Sequence, residues 1–142
     1  MKTNVIRMFL ALGAACVCGS VLNAQTYDLS AKVPFAFQVA GKSLTPGKYL
    51  VGDYGNMGVL VMRNAATGES VFISGALHTM DAVRPGRLVF HCYGTDTCFL
   101  AQVWPTSGRG TNVPLTKAEK EIIKSDGSRE MAAISINLRN TE

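Results

Sequence analysis

Apolar and polar side chains alternate along this polypeptide in short runs, and turn residues cut those runs apart. In residues 33–39, Val33, Phe35, Phe37 and Val39 fall on one side and Pro34, Ala36 and Gln38 on the other. Successive side chains of a strand point to opposite faces of its sheet, so this run predicts a strand with one buried face. Pro34 has no N–H to give to a ladder, which predicts that the strand lies at a sheet edge. Residues 48–54, 59–63 and 70–77 read as the next strands, separated by Pro46-Gly47, by residues 55–58 and by Asn64-Ala-Ala-Thr-Gly68. Residues 131–139 alternate again, with Ala132, Ile134, Ile136 and Leu138 on one side. Turn signals return about every 8 to 12 residues, a spacing of sandwiches and small barrels and not of alternating βα units. The expected fold is mostly β: an antiparallel β-sandwich or partly open barrel of about seven or eight strands.

One short helix near the C-terminus interrupts the pattern. Thr116 followed three residues later by Glu119 is a capping-box signature, and Ser125-Asp126-Gly127 stops the helix near Lys124. Ala118, Ile122 and Ile123 form its narrow apolar stripe. Two turns are marginal in isolation, so the helix is expected to dock on the β-core. Residues 106–112 (Thr-Ser-Gly-Arg-Gly-Thr-Asn) read as a polar loop. The arm around Asp28 and Lys32 reads as an ordinary first strand, with addition to a neighbour's sheet as the other reading.

Residues 1–24 read as an export signal. Lys2 and Arg7 form a positive n-region, residues 8–17 carry no charge, and residues 20–24 lead to a small-residue cleavage site before Gln25. Residues 25–142 then form a single β-rich domain, placed in the periplasm or outside the cell. No later segment approaches the roughly 18 apolar residues of a membrane helix, so no membrane span is expected. Lys2 and Arg7 leave with the signal, and the formal charge falls from +4 to about +2. A nucleic-acid partner therefore has no electrostatic support. Cys16 and Cys18 lie in the signal, and neither has an aliphatic residue three before it, so lipidation has little support.

Cys92 and Cys98 remain, and an oxidising compartment lets disulfides persist. They flank a Gly-Thr-Asp turn between two strand-like runs. If facing residue numbers sum to 190, Cys92 faces Cys98, Phe90 faces Leu100 and Leu88 faces Gln102. A slip of one residue would send the two sulfurs to opposite faces.

Few chemistries find their residues here. Ser70 lacks the second glycine of a nucleophile elbow, and only His78 and His91 are present as histidine bases. Gly41-Lys42-Ser43 imitates the end of a phosphate loop, but Ala36 stands where the first glycine belongs and a turn follows instead of a helix. Zinc would accept His78, His91, Cys92 and Cys98, yet no Cys-x-x-Cys spacing occurs and residues 91 and 92 alternate across a strand. No catalytic residue, metal site or cofactor is assigned.

Binding features are better represented. Tyr49, Tyr54, Tyr93 and Trp104, with Arg84, Arg87 and Arg109, are candidates for a groove, since aromatic faces suit glycans or peptides and arginine suits anions. Against this, Trp104 alternates in phase with Leu100 and is expected to pack in the core.

The run Val33-Pro-Phe-Ala-Phe-Gln-Val-Ala-Gly-Lys-Ser-Leu-Thr-Pro-Gly-Lys-Tyr-Leu-Val51 resembles the opening of small exported β-rich proteins common in Acidobacteria, with a pattern of roughly VPF-F-V-GK-LPAG-Y-V. Leu88-Val-Phe-His-Cys-Tyr-Gly, Phe99-Leu-Ala-Gln-Val-Trp104 and Lys117-Ala-Glu-Lys-Glu121 extend the likeness. The resemblance implies a compartment and a β-rich fold but no activity, and Cys92 and Cys98 depart from its pattern. The leading expectation is an exported non-enzymatic protein, a binding module or an envelope component, with an envelope part, a glycan or another copy as partner. The alternatives are a small secreted hydrolase using scattered Asp, Glu and Tyr, and a barrel carrying a small apolar ligand.

A loop as short as Cys92–Cys98 contributes about 2 kcal/mol on the chain-entropy estimate. Reduction should lower unfolding stability in urea by about that amount while the sheet signal in circular dichroism persists. Two free thiols in the unfolded, unreduced protein would overturn the pairing.

Overall fold

The computed structural model describes residues 27–54, 58–79, 84–106, 109–125 and 131–141. The export signal read in residues 1–24 lies outside the described residues. The elements run β1 (Leu29–Val33), β2 (Phe37–Val39), β3 (Lys42–Leu44), β4 (Gly47–Tyr54), β5 (Val59–Asn64), β6 (Ser70–Ile73), β7 (Ala76–Thr79), β8 (Arg87–Tyr93), β9 (Thr97–Thr106), β10 (Arg109–Asn112), α1 (Lys117–Ser125), β11 (Met131–Asn137) and β12 (Arg139–Asn140). One sheet has the order β12-β1-β4-β5-β6. The other has β11-β8-β9-β10-β7, with β2 also beside β9 and β3 beyond it. Pairing is antiparallel except where Gln38 of β2 meets Phe99 of β9 in parallel. The inner faces close on one apolar cluster that includes Val33, Phe37, Tyr49, Met62, Leu88 and Phe90. The fold is the expected β-sandwich, and the two sheets do not join into a closed barrel.

Three segments expected to be continuous strands instead pass from one sheet to the other. In residues 33–39, β1 ends at Val33 and β2 begins at Phe37. Pro34 sits at that corner, where its missing N–H costs neither ladder a bond. The expectation that Pro34 marks an edge is therefore corrected, because β1 lies between β12 and β4. Alternation continues through the corner: Val33, Phe37 and Val39 are buried, and Phe35 packs edge-on to Phe90 at 5.1 Å. The segment 70–77 breaks at Ser74-Gly75, where a Cβ on Gly75 would stand 1.8 Å from the Asn112 carbonyl oxygen. The segment 131–139 breaks at Leu138, which is buried and donates its N–H to the Gly86 carbonyl at 2.8 Å. Each side of the sandwich is thus a single extended segment bent around a corner, β6 into β7 on one side and β11 into β12 on the other.

The disulfide hairpin follows the expected register only near its turn. Cys92 faces Cys98, bonded at 2.09 Å, and Phe90 faces Leu100. Ala101 is then an extra residue, so that Val89 faces Gln102 and Leu88 faces Val103 instead of Gln102. This is a β-bulge, and the Ala101 carbonyl it leaves free accepts the Val113 N–H at 2.8 Å. The bulge lets Leu100 and Val103 both enter the core cluster. It turns Trp104 to the outer face, which corrects the expectation that Trp104 shares the face of Leu100. Trp104 is still buried, with the Arg87 guanidinium 5.1 Å from its ring centroid.

Residues 109–112, expected as loop, form β10 between β9 and β7. Gly110 makes the close approach of β10 to β9 feasible, since a Cβ there would stand 2.3 Å from the Trp104 ring. The arm at Asp28 and Lys32 leads into β1, an ordinary strand of the first sheet. The α1 helix starts where expected, with Thr116 Oγ1 accepting the Glu119 N–H at 3.3 Å. Its apolar stripe is only partly covered, however: Ile122 is half-buried, Ala118 and Ile123 are exposed, and Glu119 is buried. At the free edge of the second sheet, β11 is an uncharged, proline-free strand that is exposed along most of its length.

Gly110→Ala should cost about 1–3 kcal/mol in urea unfolding through overpacking. It should also shift the emission of Trp104, the only tryptophan. Gly94→Ala at a φ of +69 with open space around it should cost about 1–2 kcal/mol and leave the emission unchanged.

Candidate functional site

The aromatic and basic residues proposed from the sequence do not line one groove. Tyr49 is buried in the core, edge-on to Phe37 at 5.2 Å, and its hydroxyl donates to the Thr45 carbonyl at 2.5 Å. Tyr93 is buried beneath α1, and Arg87 covers Trp104. Arg84 is exposed ahead of β8. Tyr54 is exposed and meets Phe72 edge-on at 5.0 Å on the outer face of the first sheet. Arg109 alone reaches a cavity.

That cavity is a cleft of about 540 Å³ at one end of the sandwich, lined from both sheets. Leu29, Val51 and Leu60 line it from the first sheet, and Leu77, Pro105 and Thr111 from the second. Period two places a charge at the last inward position of each wall. On β4, Asp53 follows the buried Tyr49 and Val51, and on β10, Arg109 precedes the buried Thr111. Asp28 and Asn140 complete the rim. Neither Asp53 nor Arg109 has an ion-pair partner among the described residues, although each is within the same cleft. Thr111 is only 3% exposed, and beside it Asn112 Oδ1 is the buried side-chain oxygen without a hydrogen-bond partner among the described residues.

The other end of the first sheet is sealed. Asn64 is buried there, and its Oδ1 accepts the Ala66 and Thr67 N–H groups at 2.9 and 3.0 Å. Its backbone exchanges further bonds with Glu69 and Gly68 across the turn. The Tyr49 hydroxyl closes on Thr45 beside it. Polar groups at this end are committed to the fold, whereas those at the cleft are not.

A second polar cluster joins α1 to the outer face of the second sheet. His91 and Tyr93 share that face of β8 by alternation, and Glu119 comes from the first turn of the helix. The Tyr93 hydroxyl donates to Glu119 Oε1 at 3.0 Å, and His91 Nδ1 lies 3.9 Å from the same oxygen. Burial, the hydrogen bond to Glu119 and the negative charge of that carboxylate push the Tyr93 phenol up to about 12. A phenol held this firmly in its protonated form is suited to donating a bond and not to moving a proton. The cluster therefore fastens a two-turn helix to the sheet.

Other combinations weighed from the sequence stay apart. Cys92 and Cys98 are joined to each other, and His78 on β7 lies 2.8 Å from Asn112 Nδ2. Among the described residues no three His, Cys, Asp or Glu side chains gather closely enough to hold a metal ion. Of the cleft residues, sequence reasoning selected Arg109 but missed Asp53 and Thr111. The phase of Tyr49, Val51 and Asp53 carried a signal for the first, while Thr111 lay in a stretch read as loop. No protein-family model, no curated protein and no solved structure matches the chain.

The Tyr93 bond has a pH consequence. From pH 10 to about 12 the unfolded phenol loses its proton and the folded one keeps it, so the folded state binds more protons. Unfolding free energy should therefore fall as pH rises through that window, with this contribution fully present below pH 10. Urea titrations between pH 9 and 12 should show a shallower decline for Tyr93→Phe than for the parent protein.

Proposed function

We propose that the chain is an exported, non-enzymatic binding protein and that it binds in the cleft between Asp53 and Arg109. The carrying observation is the contrast between the two ends of the sandwich. One end is closed by satisfied hydrogen bonds, and the other surrounds an apolar floor with the exposed charges of Asp53 and Arg109, which have no ion-pair partner among the described residues. A concave site of this size with a few convergent polar groups is the usual form of a small-ligand pocket. Export is supported by the n-region and apolar run of residues 1–24, by the Cys92–Cys98 disulfide and by the resemblance to small exported β-rich proteins.

The competing readings find less support. Hydrolysis by a carboxylate pair needs the two groups to flank the scissile bond. Asp28, just ahead of β1, and Asp53 on the adjoining β4 come instead from one wall. A carrier of apolar ligands needs a hollow interior, and here the inner faces meet in a filled cluster.

Amide NMR of the oxidised protein against a mixed library of small polar and apolar fragments tests the site. Shifts should concentrate at Asp53, Leu77, Arg109 and Thr111, and a scatter over the outer faces would overturn the assignment. Secretion in a bacterial host should yield protein beginning at Gln25, and retention of the full-length chain inside the cell would overturn export.

A further inference from the structure

We infer that the cleft takes a zwitterionic ligand with an apolar body, of the chemical class of a short apolar peptide with both ends free. This rests on the binding reading above and specifies what is bound. Asp53 and Arg109 stand on opposite walls, one in each sheet, with no ion-pair partner among the described residues. Between them the floor is apolar, formed by Leu29, Val51, Leu60 and Leu77.

Each simpler ligand leaves one of these features unsatisfied. A hydrocarbon would cover both exposed charges without pairing either, and a buried charge without a partner is costly. An anionic amphiphile would meet Arg109 but bring its charge against Asp53. A cationic one would meet Asp53 and Asp28 but bring its charge against Arg109. A molecule with an ammonium at one end and a carboxylate at the other pairs with both walls through charge-assisted hydrogen bonds. Its apolar side chains then lie on the floor, and one of its backbone carbonyls accepts a hydrogen bond from the Thr111 hydroxyl. The cleft volume of about 540 Å³ is in the range of pockets that enclose ligands of this scale.

The experiment uses the oxidised protein with the dipeptide Leu-Leu, its N-acetyl form and its C-terminal amide, with octanoate and octylamine as single-charge probes. Affinity is read by calorimetry and location by amide NMR. Leu-Leu should bind at Asp53, Arg109 and Thr111, and blocking either end should weaken binding about tenfold or more. Asp53→Asn should erase the penalty for N-acetylation alone, and Arg109→Gln the penalty for amidation alone. Thr111→Val should weaken Leu-Leu, because it removes the hydroxyl that the cleft offers to a backbone carbonyl of the ligand. Equal binding of the blocked and free peptides would overturn the zwitterion proposal. So would binding of octanoate or octylamine in the cleft where Leu-Leu fails, an outcome that keeps the cleft as a binding site. If none of the five probes perturbs the cleft residues, both the ligand class and the site fall together.

Discussion

The burial of two inward faces against each other is the constraint from which the rest of this structure follows. Val33, Phe37, Tyr49, Met62, Leu88 and Phe90 are close to fully buried, and they come from both sheets. A small sandwich has little apolar surface to spare, so each strand must keep its phase while the chain moves between layers. The three corners at Pro34, Gly75 and Leu138 achieve this without breaking the alternation. Each uses a residue suited to its position. Proline needs no ladder bond, glycine admits a carbonyl where a Cβ would collide, and Leu138 buries its side chain while its N–H finds Gly86.

The same constraint shapes the outer faces. The bulge at Ala101 brings Leu100 and Val103 into the core, and it necessarily turns Trp104 out. A large ring outside the core needs a cover, which Gly110 and Arg87 supply, and that cover brings β10 against β9. On the other half of that outer face, Tyr93 and Phe99 lie edge-on at 6.0 Å, and Tyr93 is tied to α1 through Glu119. The helix is therefore attached by a polar anchor, with part of its apolar stripe left in solvent.

At the cleft end, the inward rows finish in charges that have no ion-pair partner among the described residues. Tyr49, Val51 and Asp53 form one inward row, with a phenol bonded at the sealed end and a free carboxylate at the open end. Thr111 and Arg109 form the corresponding row on the opposing wall. Asp53 and Arg109, without ion-pair partners among the described residues, set this end apart from the sealed end around Asn64.

Much of the architecture was legible along the chain because the information is local. Period two identified the inward residues, the Asn64-to-Gly68 turn and the Thr116 cap announced themselves by residue type, and the pairing of Cys92 with Cys98 followed from hairpin register. The corners were not legible, because side chains keep alternating through residues 33–39 whether or not the backbone changes sheets. Tyr49 and Tyr93 were misread as surface residues for a related reason: a phenol reads as polar until its hydroxyl finds a partner, Thr45 or Glu119, inside the fold. Local periodicity thus specified which faces are apolar. Which strands adjoin, where the extra residue Ala101 falls, and the meeting of Asp53 with Arg109 and Thr111 across more than fifty residues arise only when the sheets pack, since each depends on contacts between segments that no local pattern encodes.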